Sequence, residues 1–80
     1  MHELALTHEI VAIVCRAAGD RRVHSVTLEI GELSCAAPES ITFCFDVIAR
    51  GTCAEGARLD IRRTEGDDLL VRTMEIEEAA

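Results

Sequence analysis

The sequence contains no tryptophan, no tyrosine and no lysine, a single proline, and only two aromatic residues, Phe43 and Phe45. Without large aromatics, the core must be built from Leu, Ile, Val, Ala, Met and Cys. The lack of lysine leaves eight arginines against fifteen acidic residues, for a net charge of −7. We read the all-arginine basic complement as genomic base composition before function. A phosphate backbone requires a basic face, so the charge argues against nucleic acid as a partner. It suits a soluble chain that resists self-association or docks on cations and basic surfaces.

Other absences narrow the class further. The first residues lack the basic and apolar regions of a signal peptide. No apolar run approaches the roughly 20 residues that a membrane span needs, and a cytoplasmic location follows by elimination. Cys15, Cys35, Cys44 and Cys53 are scattered, with no C-x-x-C pair among them. That spacing excludes a zinc ribbon or a thioredoxin-type motif. In a cytosolic chain such cysteines are expected as free thiols acting as small buried hydrophobes. There is no nucleophile–base pair, glycine-rich phosphate loop or pair of facing carboxylates, so an enzyme is not expected.

What remains is an 80-residue chain, 49% hydrophobic, which is enough for one globular domain spanning residues 1–80. A chain of this size buries roughly 60% of its unfolded surface, so its stability is modest or helped by association. From Glu3 to Ala18, Leu4, Val11, Cys15 and Ala18 recur at helical spacing, and Leu6, Ile10, Ile13, Val14 and Ala17 widen the stripe. This predicts a mostly buried helix, stopped by Gly19. Val23 to Leu33 changes to a period of two, with Val26, Leu28 and Ile30 on one side of a strand that ends near Gly31. Pro38 then opens a second helix whose apolar face is Ile41, Cys44, Phe45 and Ile48.

A second strand is expected from Ala57 to Thr64 and a third from Leu69 to Glu77, separated by the turn Glu65-Gly66-Asp67-Asp68. In the third, Leu69 and Val71 alternate out of phase with Met74 and Ile76, which predicts a bulge near Arg72 and Thr73. Glu77 to Ala80 reads as a frayed tail. The order α-β-α-β-β implies an α+β fold with two helices on one face of a three-stranded mixed sheet. The helical crossover favours parallel first and second strands. The short turn predicts an antiparallel hairpin of the second and third strands. Two open edges leave room for a homodimer formed by edge pairing.

The chemistry concentrates at the start of the chain, Met1-His2-Glu3. The terminal amine, the His2 amide nitrogen and its imidazole Nδ1 can form fused chelate rings around one ion. Once the amide deprotonates, these nitrogens occupy three corners of a square, and Glu3 or an outside donor can supply the fourth. Such coordination favours Cu(II) or Ni(II) over zinc. His8 lies too far along the helix to share the site readily. His24, at a strand entrance, suits an exposed polar role.

Met1-His2-Glu3-Leu4, Val26-Thr27-Leu28-Glu29-Ile30-Gly31-Glu32-Leu33, Pro38-Glu39 and Gly51-Thr52 together resemble the HypA family. So do Ala54-Glu55-Gly56-Ala57-Arg58-Leu59 and Gly66-Asp67-Asp68-Leu69-Leu70-Val71-Arg72 with Met74-Glu75. The resemblance covers essentially the whole chain. It implies a nickel metallochaperone serving maturation of [NiFe] hydrogenase and, in some organisms, urease. Its implied partners are a HypB-type GTPase and the hydrogenase large-subunit precursor. Carried over, His2 is the side-chain ligand for Ni(II), Met1 gives its amine, and Glu3 gives its amide or a tuning carboxylate.

The departure from the family pattern is equally specific. Members of the family normally carry a zinc domain with two C-x-x-C motifs between the last two strands. Here Arg62-Arg63-Thr64 runs through Glu65-Gly66 directly into Asp67-Asp68-Leu69. The zinc domain is therefore read as absent at residues 64–68, and zinc is not expected. The alternative function is an interaction module that binds maturation partners without delivering metal.

Overall fold

The computed structural model describes residues 2–78, with His2 described in its main chain alone. The elements follow the order helix α1 (His2–Ala18), strand β1 (Val23–Gly31), helix α2 (Pro38–Ile48), strand β2 (Arg58–Thr64) and strand β3 (Leu69–Ile76). α1 stops where Gly19 takes φ +60. The Gly19 N–H returns to the carbonyls of Cys15 and Arg16 at 3.1 and 3.3 Å, satisfying groups that a helix end leaves open. α2 begins at Pro38, whose fixed φ suits a first helical position, and closes at Ala49.

Both helices cover one face of a mixed sheet with strand order β2-β1-β3. β1 pairs in parallel with β2, through the α2 crossover, and antiparallel with β3. Its Val26, Leu28 and Ile30 are completely buried against Val14 of α1 and Ile41 and Phe45 of α2. Fully burying each large aliphatic side chain contributes about 1.5–3 kcal/mol, so this layer is the main source of stability. The opposite sheet face is polar. There Arg58 pairs with Asp60 at 3.2 Å and Arg72 with Glu29 at 3.7 Å. Both arginines are well exposed, so these pairs add little stability.

The bulge near Arg72 is present. Thr27 lies opposite Thr73 but Leu28 lies opposite Val71, so Arg72 is the extra residue. A second irregularity at His24 puts Val23 opposite Ile76. With both offsets, Val23, Val26, Leu28 and Ile30 meet Ile76, Met74, Val71 and Leu69 across the strands, and all eight join the apolar cluster. The two offsets resolve the broken alternation of the third strand.

Two expectations are overturned. The second and third strands do not form a hairpin, because β1 lies between them. The connection 65–68 instead passes over the end of β1. The N–H groups of Gly31, Glu32 and Leu33 donate to the carbonyls of Asp68, Thr64 and Gly66 at 2.7, 2.8 and 2.8 Å. Gly31 makes this approach sterically feasible, since a Cβ there would lie 2.3 Å from the Gly66 oxygen.

The second correction concerns α1, which is not mostly buried. Ile10, Val11, Val14 and Ala18 form its core stripe together with the fully buried Thr7, whereas Leu4 and Ile13 are 47% and 49% exposed. A three-stranded sheet shared with α2 covers one side of the helix and no more. At the far end, the Glu77 N–H donates to the Arg22 carbonyl at 2.8 Å, so the expected tail is tied down at its first residue. Residues 79 and 80 lie outside the described residues.

Candidate metal centre at the start of helix α1

Of the three expected ligands, Met1 lies outside the described residues, and His2 opens α1. The first N–H groups of an α-helix have no acceptor within the helix, so a metal can take an amide nitrogen there without breaking the helical ladder. Glu3 is half-buried, and its contacts fix the direction of this first turn. Its carbonyl accepts a 2.6 Å hydrogen bond from the Thr7 hydroxyl. Its carboxylate Oε2 accepts a 3.3 Å hydrogen bond from the Ala37 N–H.

Ala37 is the N-cap residue of α2, in an extended conformation, and it has no capping side chain of its own. Glu3 thus brings a negative charge to the positive end of α2 and pins the two helix starts together. Ser34 shapes the same loop by accepting from the Ala36 N–H through its hydroxyl at 3.1 Å. The expected metal-binding segment is therefore a helix start anchored by a carboxylate. Sequence reasoning considered that carboxylate as a tuning group and missed its structural partner 34 residues away.

His8 and His24 are both exposed. No group of three or more His, Cys, Asp or Glu side chains able to hold a metal ion occurs among the described residues.

The cysteines depart from expectation. None is fully buried: Cys35 is exposed, while Cys15, Cys44 and Cys53 are half-buried. The fold brings two of them together, with the Cys53 thiol donating to Cys15 Sγ at 2.9 Å. The pair lines a surface groove of about 460 Å³, which His8, Val11, Asp20 and Ile48 also border. Burial, followed by the hydrogen bond to Cys15 and the negative charges of Cys15 and Asp20, pushes the Cys53 thiol up to about 11. Nothing in the spacing of these cysteines signals the contact, which depends on where the 49–57 segment packs on α1.

Comparison with known proteins identifies the family and the fold. Residues 1–76 match the family described as hydrogenase/urease nickel incorporation, metallochaperone, hypA. The chain belongs to the HypA family. Over 66 residues it is 54% identical to the hydrogenase maturation factor HypA of Trichodesmium erythraeum, covering 82% of this chain and 58% of that protein. The HypA of Geobacter metallireducens is 52% identical over 66 residues, covering 82% of this chain and 60% of the relative. The chain thus spans less than two thirds of the length of these HypA relatives. The solution structure of the Ni metallochaperone HypA from Helicobacter pylori aligns with a TM-score of 0.72, covering 89% of this chain and 70% of that one. At 16% identity this shows a shared fold: two helices and a three-stranded mixed sheet in the order α-β-α-β-β. Family membership and fold both agree with the reading from sequence.

Proposed function

We propose that this HypA-family chain binds Ni(II) at its N-terminus as cargo and delivers it to [NiFe] hydrogenase, or urease, during maturation. The Met1 amine, the His2 amide and imidazole, and the Glu3 amide form the donor set. The observation that carries this reading is the family match, which starts at residue 1 and so includes the chelating tripeptide. The contact from Ala37 to the Glu3 carboxylate favours the amide as the contribution of Glu3. A square-planar ion at a chain end leaves both axial directions open, so a receiving protein can attack without prior unfolding of the carrier.

The reading is of a carrier and not of an enzyme. It places the protein in the cytoplasm, with a HypB-type GTPase and the hydrogenase large-subunit precursor as partners. No helix among the described residues is long and apolar enough to cross a membrane. The edge strands β2 and β3 offer the surfaces for a homodimer. We read the chain as a single nickel-binding domain without the zinc domain, because Glu65–Asp68 alone connects β2 to β3. That same direct connection favours one alternative, an interaction module that binds maturation partners but does not pass on metal.

Nickel titration of protein with its native first residue tests the proposal. A square-planar d–d absorption band should appear and should vanish when the N-terminus is extended. Because amine and amide must lose protons to bind, affinity should climb steeply with pH. A band that survives extension overturns the site. Transfer of bound nickel to apo-hydrogenase precursor separates the carrier from the interaction module.

A further inference from the structure

We propose that Cys15 and Cys53 form an oxidisable dithiol, a modification site at which a low-molecular-weight disulfide closes an intramolecular Cys15–Cys53 bond. The site is independent of the N-terminal nickel reading. Three observations support it. The sulfurs are 2.9 Å apart, so they need approach by only about 0.9 Å to reach bonding distance. Both are half-buried and border the same open groove, so a small reagent can reach them.

Finally, both are held in place. Cys15 sits within α1, and the Cys53 carbonyl accepts from the Val23 N–H at 2.9 Å. The flanking residues are equally fixed. The Thr52 hydroxyl donates to the Ala49 carbonyl at 2.6 Å and accepts from the Ala54 N–H at 3.1 Å. Ala54 itself is completely buried.

The polarity of the pair sets the order of events. Cys53 holds its proton and points it at Cys15 Sγ, with Asp20 further disfavouring a Cys53 thiolate. The first attack therefore comes from Cys15. Its thiolate attacks one sulfur of the reagent, the reagent S–S bond breaks, and one reduced thiolate leaves. Conversion of Cys15 to a mixed disulfide takes away the free thiol sulfur to which Cys53 donated. Cys53 then gives up its proton, attacks Cys15 Sγ and expels the second thiolate. Two protein thiols are oxidised to one disulfide, and one reagent disulfide is reduced to two thiols that take up the two protons.

The test uses the whole folded chain, reduced and then incubated with oxidised glutathione, blocked with iodoacetamide and digested for mass spectrometry. The expected product is a Cys15–Cys53 cross-linked peptide lighter by two hydrogens, while exposed Cys35 carries glutathione. The cross-linked protein should melt roughly 10 °C or more above the reduced form, and dithiothreitol should reverse the change. Cys53→Ser should stop the reaction at the Cys15 mixed disulfide. Recovery of Cys15 and Cys53 both alkylated, or both as glutathione adducts, in the folded wild-type chain overturns the proposal. An equal yield of the cross-link in urea does so as well, since the fold would then not direct the pairing.

Discussion

The first turn of α1 and its fourth turn present opposite kinds of chemistry on one helix. At the start, the donors of the proposed nickel site are nitrogens of consecutive residues, which covalent geometry would assemble before any folding occurs. Near the end is a sulfur whose partner lies 38 residues away and arrives only when the chain folds. The helical rise separates the two regions by about 20 Å, so each should respond to its own perturbation. The first depends on a native chain start and on pH, the second on tertiary structure and on redox state. Under these two proposals, metal loading is separate from the thiol state of the body.

The most direct attack on this separation is His2→Ala. Nickel affinity measured by calorimetry should fall by about 100-fold or more, beyond the usual effect of losing an outer-shell partner, while Cys15–Cys53 oxidation stays unchanged. A parallel loss of cross-linking would join the two regions. The reciprocal change is Cys53→Ser. It should abolish the oxidation-dependent rise in Tm, on the order of 10 °C, and leave nickel affinity within about twofold by the same calorimetry.

Two smaller perturbations probe how the helix start is held. Thr7→Val removes the completely buried hydroxyl that bonds the Glu3 carbonyl. It should cost about 1 kcal/mol in urea unfolding. Glu3→Gln retains an acceptor for the Ala37 N–H but removes the charge at the start of α2. Its expected cost is below about 1 kcal/mol, with nickel binding little changed. A drop in affinity of about tenfold, or 1.4 kcal/mol, would instead bring the carboxylate into the coordination sphere.

A last perturbation is a pH dependence at the other end. The Cys53 thiol is raised from 9.0 to about 11 on folding. The folded state thus holds a proton that the unfolded state releases, and stability falls as pH rises from about 9 towards 11. In Cys53→Ser, the urea midpoint should lose that part of its alkaline decline.

The two regions also differ in how far they can be read from sequence. Met1-His2-Glu3 is contiguous, so the proposed chelate is drawn from bond geometry alone. Of the fold, the helices, the parallel crossover and the Arg72 bulge were legible, because periodicity reports them locally. The failures share a physical origin. The hairpin expectation treated Glu65–Asp68 as a turn, whereas Gly31 lacks the Cβ that would keep the crossing segment off β1. The α1 stripe was read too wide because its apolar residues exceed what three strands and one helix can cover. Thr7 was overlooked as core because its hydroxyl satisfies itself on the Glu3 carbonyl. Cys15 and Cys53 carry no periodic or spacing signal at all.

The placement of β1 between its neighbours has one more consequence. β2 and β3 each hold the central strand and not one another, so no strand pairing depends on the link between them being short. Such a link is a seam in the architecture. Chain spliced in there adds loop-closure entropy at only about 0.6 kcal/mol per doubling of length, and every ladder of the sheet can persist around it. Removing the insert leaves the same three strands to close up. The sheet is thus a frame that can gain or lose a module at residues 65–68 without refolding the helix start that presents His2.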